Sequence, residues 1–220
     1  MKPELDITNL IKEANVFCLA ESKLPNKELY GVTDGKAVGT YIEQKFKNFL
    51  IDKYTLTIGS SASGIDLPSE SIMTDIKVTS IKQPQSSCPF KDAKQKIFGL
   101  GYNLLVFVYD KRDDINTQTC VLKFVSCAFI DKQRTADYIT TYRLREMIKD
   151  NANEEDIFAF LNDKNIPVDD VTLFEIAKQI LNNPPELGYL TISNALQWRL
   201  QYSRIVYMKE NIRGITKIIQ

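Results

Sequence analysis

The sequence predicts an α/β protein, and three observations carry that reading. Apolar residues at helical spacing open the chain. Alternating β-branched and aromatic runs fill its middle, and helical periodicity returns from Thr140 onwards. The order helix, strands, helix, strand, strand and then helices is that of a sheet flanked by helices, followed by a helical C-terminal part.

Leu10, Ile11, Ala14 and Phe17 predict a helix over about Ile7 to Ser22, broken at Leu24-Pro25-Asn26-Lys27. A stronger helix starts near Asp34-Gly35-Lys36. It carries Val38, Ile42, Phe46, Phe49 and Leu50 on one face, with Glu43, Lys45 and Lys47 around its sides. Tyr54 to Gly59 alternates and reads as a strand, closed by the Ser/Gly-rich turn at 60–64. Ile65 to Pro68 is short and extended, and Ile72 to Thr79 returns as a strand. Gln83 to Pro89 reads as a polar loop, and Lys91 to Leu100 as a helix closed by Gly99 and Gly101.

Tyr102 to Tyr109 is the most apolar strand and the predicted sheet centre. Lys111 to Asp114 reads as a turn and Thr119 to Val125 as the next antiparallel strand. Helices follow over Leu144–Ile148, Glu154–Leu161 and Leu173–Leu181, the last stopped by Asn182-Asn-Pro-Pro185. Thr191-Ile-Ser193 is positioned to cap a helix over Asn194–Gln201. Arg204–Met208 and Ile215–Ile219 read as strands around the turn at Asn211–Gly214.

The chain has 220 residues, enough for one full domain or one with an appendage, and divides on pattern into 1–150 and 151–220. It contains no histidine. That excludes a Ser-His-Asp or Cys-His pair, a His general base and His-ligated zinc. The chemistry must run on carboxylates, lysine, hydroxyls or thiols. Cys18, Cys88, Cys120 and Cys127 form no CxxC pair, so zinc is not expected. The N-terminus shows no apolar run for a signal peptide, and no stretch has the apolar length to span a bilayer. A cytoplasmic protein with reduced thiols is the expectation. With 28 basic and 28 acidic residues the net charge is zero, which argues against a nonspecific nucleic-acid coat protein. It leaves room for an enzyme with a local basic surface and an acidic, metal-binding centre.

Asp66, Asp75 and Lys77 are the residues that point to chemistry. Residues two apart on a strand share a face, so Asp75 and Lys77 project together while Ile76 and Val78 face the other layer. If the two segments pair as a hairpin, Asp66 approaches Asp75. Two carboxylates and a lysine at one spot suit metal-assisted phosphodiester hydrolysis: carboxylate oxygens hold Mg²⁺ with waters left in place, and the lysine positions a water or steadies the developing charge. The competing reading is a solvated strand face, with Asp66 as a turn residue before Pro68.

Asp66, then eight intervening residues, then Asp75-Ile76-Lys77 resembles the PD-(D/E)XK nuclease superfamily. So does the order around it: a helix containing Glu43, the strand hairpin, a helix and a buried strand. Ile65 stands where the pattern has proline. The resemblance covers about Val38 to Tyr109 and is most like a type II restriction endonuclease. It implies that residues 1–150 hold a nuclease core with a central mixed sheet, and that Asp66, Asp75 and the main-chain carbonyl of Ile76 bind Mg²⁺. It implies further that Lys77 activates the attacking water and that Glu43 helps anchor metal. The partner it implies is double-stranded DNA, cut by a homodimer, with no membrane and no small-molecule cofactor.

Candidate DNA contacts are the polar loop with Gln83, Gln85, Ser86, Ser87 and Lys91, whose amides and hydroxyls suit base edges, and Arg134 and Arg143, which suit phosphates. In residues 151–220 the element order is similar to a winged helix-turn-helix, with Gln197 and Arg199 on the helix entering the groove. A helical dimerisation or packing extension is the other reading of that region. A structure- or mismatch-specific repair nuclease of the same fold, and a non-enzymatic DNA-binding module, are the rival functions.

Overall fold

The computed structural model describes residues 2–59, 64–89, 91–193 and 198–219. Helix α1 (Ile7–Glu21) begins at Asp6, whose carboxylate accepts the Asn9 N–H at 2.7 Å. Helix α2 (Gly35–Ile51) begins at Asp34, which accepts the Lys36 N–H at 2.9 Å. Both caps satisfy amides that the first turn leaves without a helical partner. Between the helices lies the short strand β1 (Pro25–Asn26). There follow β2 (Thr74–Ser80), β3 (Gln85–Cys88), α3 (Gln95–Phe98), β4 (Asn103–Asp114) and β5 (Thr119–Ile130). The chain ends in α4 (Tyr138–Lys149), α5 (Glu154–Asp163), α6 (Asp170–Asn182), β6 (Thr191–Ser193), β7 (Trp198–Gln201), α7 (Ser203–Tyr207) and β8 (Ile215–Ile219).

Two compact units interleave along the sequence: Met1–Ser86 with Tyr102–Asp131 and Val206–Gln220, and Ser87–Gly101 with Lys132–Ile205. The first holds a mixed sheet in the order β1-β5-β4-β2, with β8 also pairing β5. In this sheet β2 and β4 run parallel, Asp75 opposite Leu104 and Lys77 opposite Val106, while β1–β5, β4–β5 and β5–β8 are antiparallel. β4 lies inside the sheet and is buried from Asn103 to Tyr109, as its apolar run predicts.

Phe17 of α1, Phe46 of α2, Phe107 of β4 and Phe124 of β5 meet in one core, with ring centroids 5.0–6.2 Å apart. Ile76 belongs to the same core and Val78 packs against it. The alternation of β2 therefore puts Asp75 and Lys77 on the opposite face. In the second unit, Leu144, Ile157, Leu161, Leu173, Ile176 and Ile180 form a separate helical core.

Several predicted elements are corrected. Trp198–Gln201 is a strand paired antiparallel with Thr191–Ser193, not the end of a helix. Trp198 and Leu200 are buried while Arg199 between them is exposed, a period of two that only a strand gives. The groove-entering helix of a winged-helix module is therefore absent over 198–201, and Asn194–Gln197 lie outside the described residues. Arg204–Met208 contributes to α7 instead of forming a strand. Tyr54–Gly59 makes a single parallel bridge, Thr55 to Glu4, and no strand. The helix expected over Lys91–Leu100 is confined to Gln95–Phe98, while Gln85–Cys88, expected as loop, is extended. Lys111–Asp114 continue β4, and the reversal falls at 115–118. Among the described residues no helix is long and apolar enough to cross a membrane.

Candidate active site

The site is assembled by one short reversal and one helix of the first unit. Ser69 O accepts the Ile72 and Met73 N–H groups at 3.0 and 2.6 Å, turning the chain back so that Leu67 and Thr74 exchange two main-chain bonds of 2.9 Å each. This antiparallel bridge is the hairpin contact expected from the sequence, though Asp66 itself precedes it and is not in a strand. It brings Asp66 beside Asp75. Thr74 bonds outward to Leu67, so the main-chain groups of Ile76, two residues on, point to the same edge of β2, away from β4. Asp66 Oδ2 accepts the Ile76 N–H there at 2.8 Å.

Asp75 is 4% exposed and its carboxyl lies beside that of Asp66. Burial, with Asp66 beside it, raises Asp75 from 3.8 to about 7, although Lys77 pulls the other way. Burial also acts to raise Asp66, but the bonds from Asp75, Lys47 and the Ile76 N–H outweigh it and hold Asp66 below its ordinary value. Lys77 Nζ lies 2.7 Å from Asp75 Oδ2. The three residues singled out from the sequence therefore meet.

Glu43 stands beside Asp66 and shares Lys47 with it. Lys47, one turn on along α2, lies with Nζ 2.6 Å from Glu43 Oε1 and 2.6 Å from Asp66 Oδ1. Burial raises the pKa of Glu43, against the pull of Lys47 and with some help from Asp66. The sequence reading gave Lys47 no role. Its signal was slight: a Glu–Lys pair at i, i+4 is an ordinary helix-surface pattern, and only the flanking Ile42, Phe46 and Leu50 indicate that this side of α2 is covered.

A divalent ion fits the Asp66–Asp75 edge on the chemistry of its donors. Two carboxyls, Asp75 buried and Asp66 half-buried, crowd one another, and a cation between them relieves that crowding. The Ile76 main chain adds hard oxygen on the same edge. Among the described residues no three acidic or thiol groups are assembled around a common centre; Glu43 is paired with Lys47.

The candidate DNA contacts fall in both units. Gln83 is exposed, and Gln85 and Ser86 are half-buried in the first unit. Gln85 is tied through its main chain to the Thr79 hydroxyl, at 3.1 Å through its N–H and 3.0 Å through its carbonyl. In the second unit Ser87, Lys91, Arg143 and Arg199 are exposed. Arg134 is engaged, donating to Glu186 Oε2 at 3.2 Å and to the Leu187 carbonyl at 3.1 Å. Gln197 lies outside the described residues.

A family model described as "Type II restriction enzyme NspV" matches residues 4–217, which places the chain among the type II restriction enzymes. It belongs to the NspV family of these enzymes. A curated relative, the type II restriction enzyme NspV of Nostoc sp. (strain ATCC 29411 / PCC 7524), is 54% identical over 214 residues, covering 97% of this chain and 96% of the relative. No solved structure matches the chain.

Proposed function

We propose that this restriction enzyme cleaves double-stranded DNA at a specific sequence through a Mg²⁺-dependent site at the edge of β2, on a core of the PD-(D/E)XK type. The meeting of Asp66, Asp75 and Lys77 at one strand edge, in a chain of this family, carries the reading. The helix–hairpin–parallel strand order from α2 through β4 supports the fold assignment.

Asp66, Asp75 and the Ile76 carbonyl would hold the ion. When bound, Mg²⁺ supplies polarisation of the scissile phosphate and acidifies the attacking water. Lys77, held by Asp75, orients that water and steadies negative charge as it grows on the phosphate. Asp66 is fixed for its role through both oxygens, by Lys47 on one and the Ile76 N–H on the other. Glu43 belongs to the same site, beside Asp66 and paired with Lys47. No step requires histidine, in keeping with the composition.

Gln83, Gln85, Ser86, Ser87, Lys91, Arg143 and Arg199 are proposed DNA contacts. The nuclease core is assigned to residues 1–150, and residues 151–220 to DNA binding or dimerisation. Cutting both strands of a symmetric site calls for a homodimer with one active site per strand. The test is cleavage in Mg²⁺ by wild type and by Lys77→Ala. Discrete fragments from wild type alone support the proposal, and equal cleavage by the variant removes Lys77 from the mechanism.

A further inference from the structure

Lys47 is buried, at 6% exposure, and its ammonium is closed between two carboxylates. Burial disfavours its charge, but the bonds and charges of Asp66 and Glu43 more than compensate and hold its pKa above the usual lysine value. The group is a cation fixed at the point where Glu43 and Asp66 would otherwise share one. Counted over the site, Glu43, Asp66 and Asp75 face Lys47 and Lys77. With the Asp75 carboxyl ionised, three carboxylates against two ammonium groups leave one net negative charge for a cation. Lys47 already occupies the position between Glu43 and Asp66, and Glu43 joins no acidic group of three among the described residues.

We infer that Lys47 is a built-in substitute for a second divalent ion. It leaves a single ion position, on the Asp75 side of Asp66, and makes Glu43 a holder of Lys47 instead of a metal ligand. Lys47 is thus a positioning residue that sets the orientation of Asp66. This inference rests on the metal-dependent reading of the site.

Mn²⁺ titration of the metal-stripped protein, with free Mn²⁺ followed by electron paramagnetic resonance, tests it without relying on turnover. Wild type should bind one Mn²⁺ per chain, lost in Asp75→Asn. Lys47→Met keeps the aliphatic stem and removes the charge, so Glu43 and Asp66 should capture a second Mn²⁺ per chain. The double variant Glu43→Gln/Lys47→Met should return to one. Glu43→Gln alone leaves Lys47 on Asp66 and should still bind one Mn²⁺ with little change in affinity, a result readable even if Lys47→Met fails to fold. Two ions in wild type, loss of an ion in Glu43→Gln, or unchanged stoichiometry and affinity in a folded Lys47→Met would each overturn the inference. If DNA is nonetheless cut in Mg²⁺ by wild type and not by Lys77→Ala, the active-site reading stands and only the role of Lys47 falls. If wild type neither binds Mn²⁺ nor cuts DNA, both fall together.

Discussion

The carboxyl of Asp75 stands beside that of Asp66, and Asp75 Oδ2 lies 2.7 Å from the Lys77 ammonium. Burial and the neighbouring carboxyl raise Asp75 to about 7, so a proton held below that pH must leave for both carboxylates to face a cation.

This relationship sets a pH dependence. Folded Asp75 titrates at about 7 against an ordinary value of 3.8, so between these values the folded state holds a proton that the unfolded chain has released. Stability of the metal-free protein falls as pH rises through that window. Asp75→Asn removes the titration and should be more stable than wild type at pH 8 by a few kcal/mol, at about 1.4 kcal/mol per pKa unit. Urea unfolding in EDTA at pH 5 and pH 8 measures this; an unchanged difference between the two proteins at both pH values contradicts it. In the same window, Mn²⁺ should bind more tightly as pH rises, because binding displaces the proton.

Removing charge from the site should spare the fold. Asp66→Ala and Asp75→Ala should each lower cleavage by at least about 10²-fold, the scale of losing one electrostatic contact to the developing charge. Circular dichroism should remain that of wild type. Ca²⁺ should support DNA binding without cutting, since its looser coordination positions the phosphate less tightly. Cleavage in Ca²⁺ as fast as in Mg²⁺ counts against the mechanism.

The face of β2 opposite the carboxylates is structural. Phe107, fully buried among Phe17, Phe46 and Phe124, lies directly across from Val78 on β4. Phe107→Ala should destabilise by about 3–5 kcal/mol, read as a shift in denaturant midpoint. A change under 1 kcal/mol would mean that the aromatic core is not the support described here.

The two arginines proposed for DNA from the sequence should separate. Arg143 is exposed on α4, so Arg143→Ala should weaken DNA binding and reduce the dependence of log K on log salt by about one. Arg134 is held by Glu186 and the Leu187 carbonyl, so Arg134→Ala should lower thermal stability more than it lowers DNA affinity. Identical salt slopes for wild type and Arg143→Ala exclude that phosphate contact.

Much of the site was legible because it follows local rules. The two-residue period of a strand put Asp75 and Lys77 together, and a Ser/Pro-containing reversal between two apolar segments brought Asp66 alongside. Lys47 was not legible, because its role depends on Asp66 from a distant segment covering that side of α2. The C-terminal error has a similar origin. Trp198-Arg-Leu-Gln201 is too short for its alternation to outweigh a helical reading, and its pairing with Thr191–Ser193 is a tertiary fact. Arg204–Tyr207 shows the reverse, a β-branched run that forms a helical turn because its ends are set by neighbours and not by propensity.

The most direct test of the central claim is a digest of unmethylated phage DNA by wild type and Lys77→Ala, each with Mg²⁺ and with EDTA. The account predicts discrete, reproducible fragments in the wild-type Mg²⁺ lane and intact DNA in the other three. Fragments from Lys77→Ala at the wild-type rate, or from wild type in EDTA, would show that the Asp66–Asp75–Lys77 edge is not where the DNA is cut.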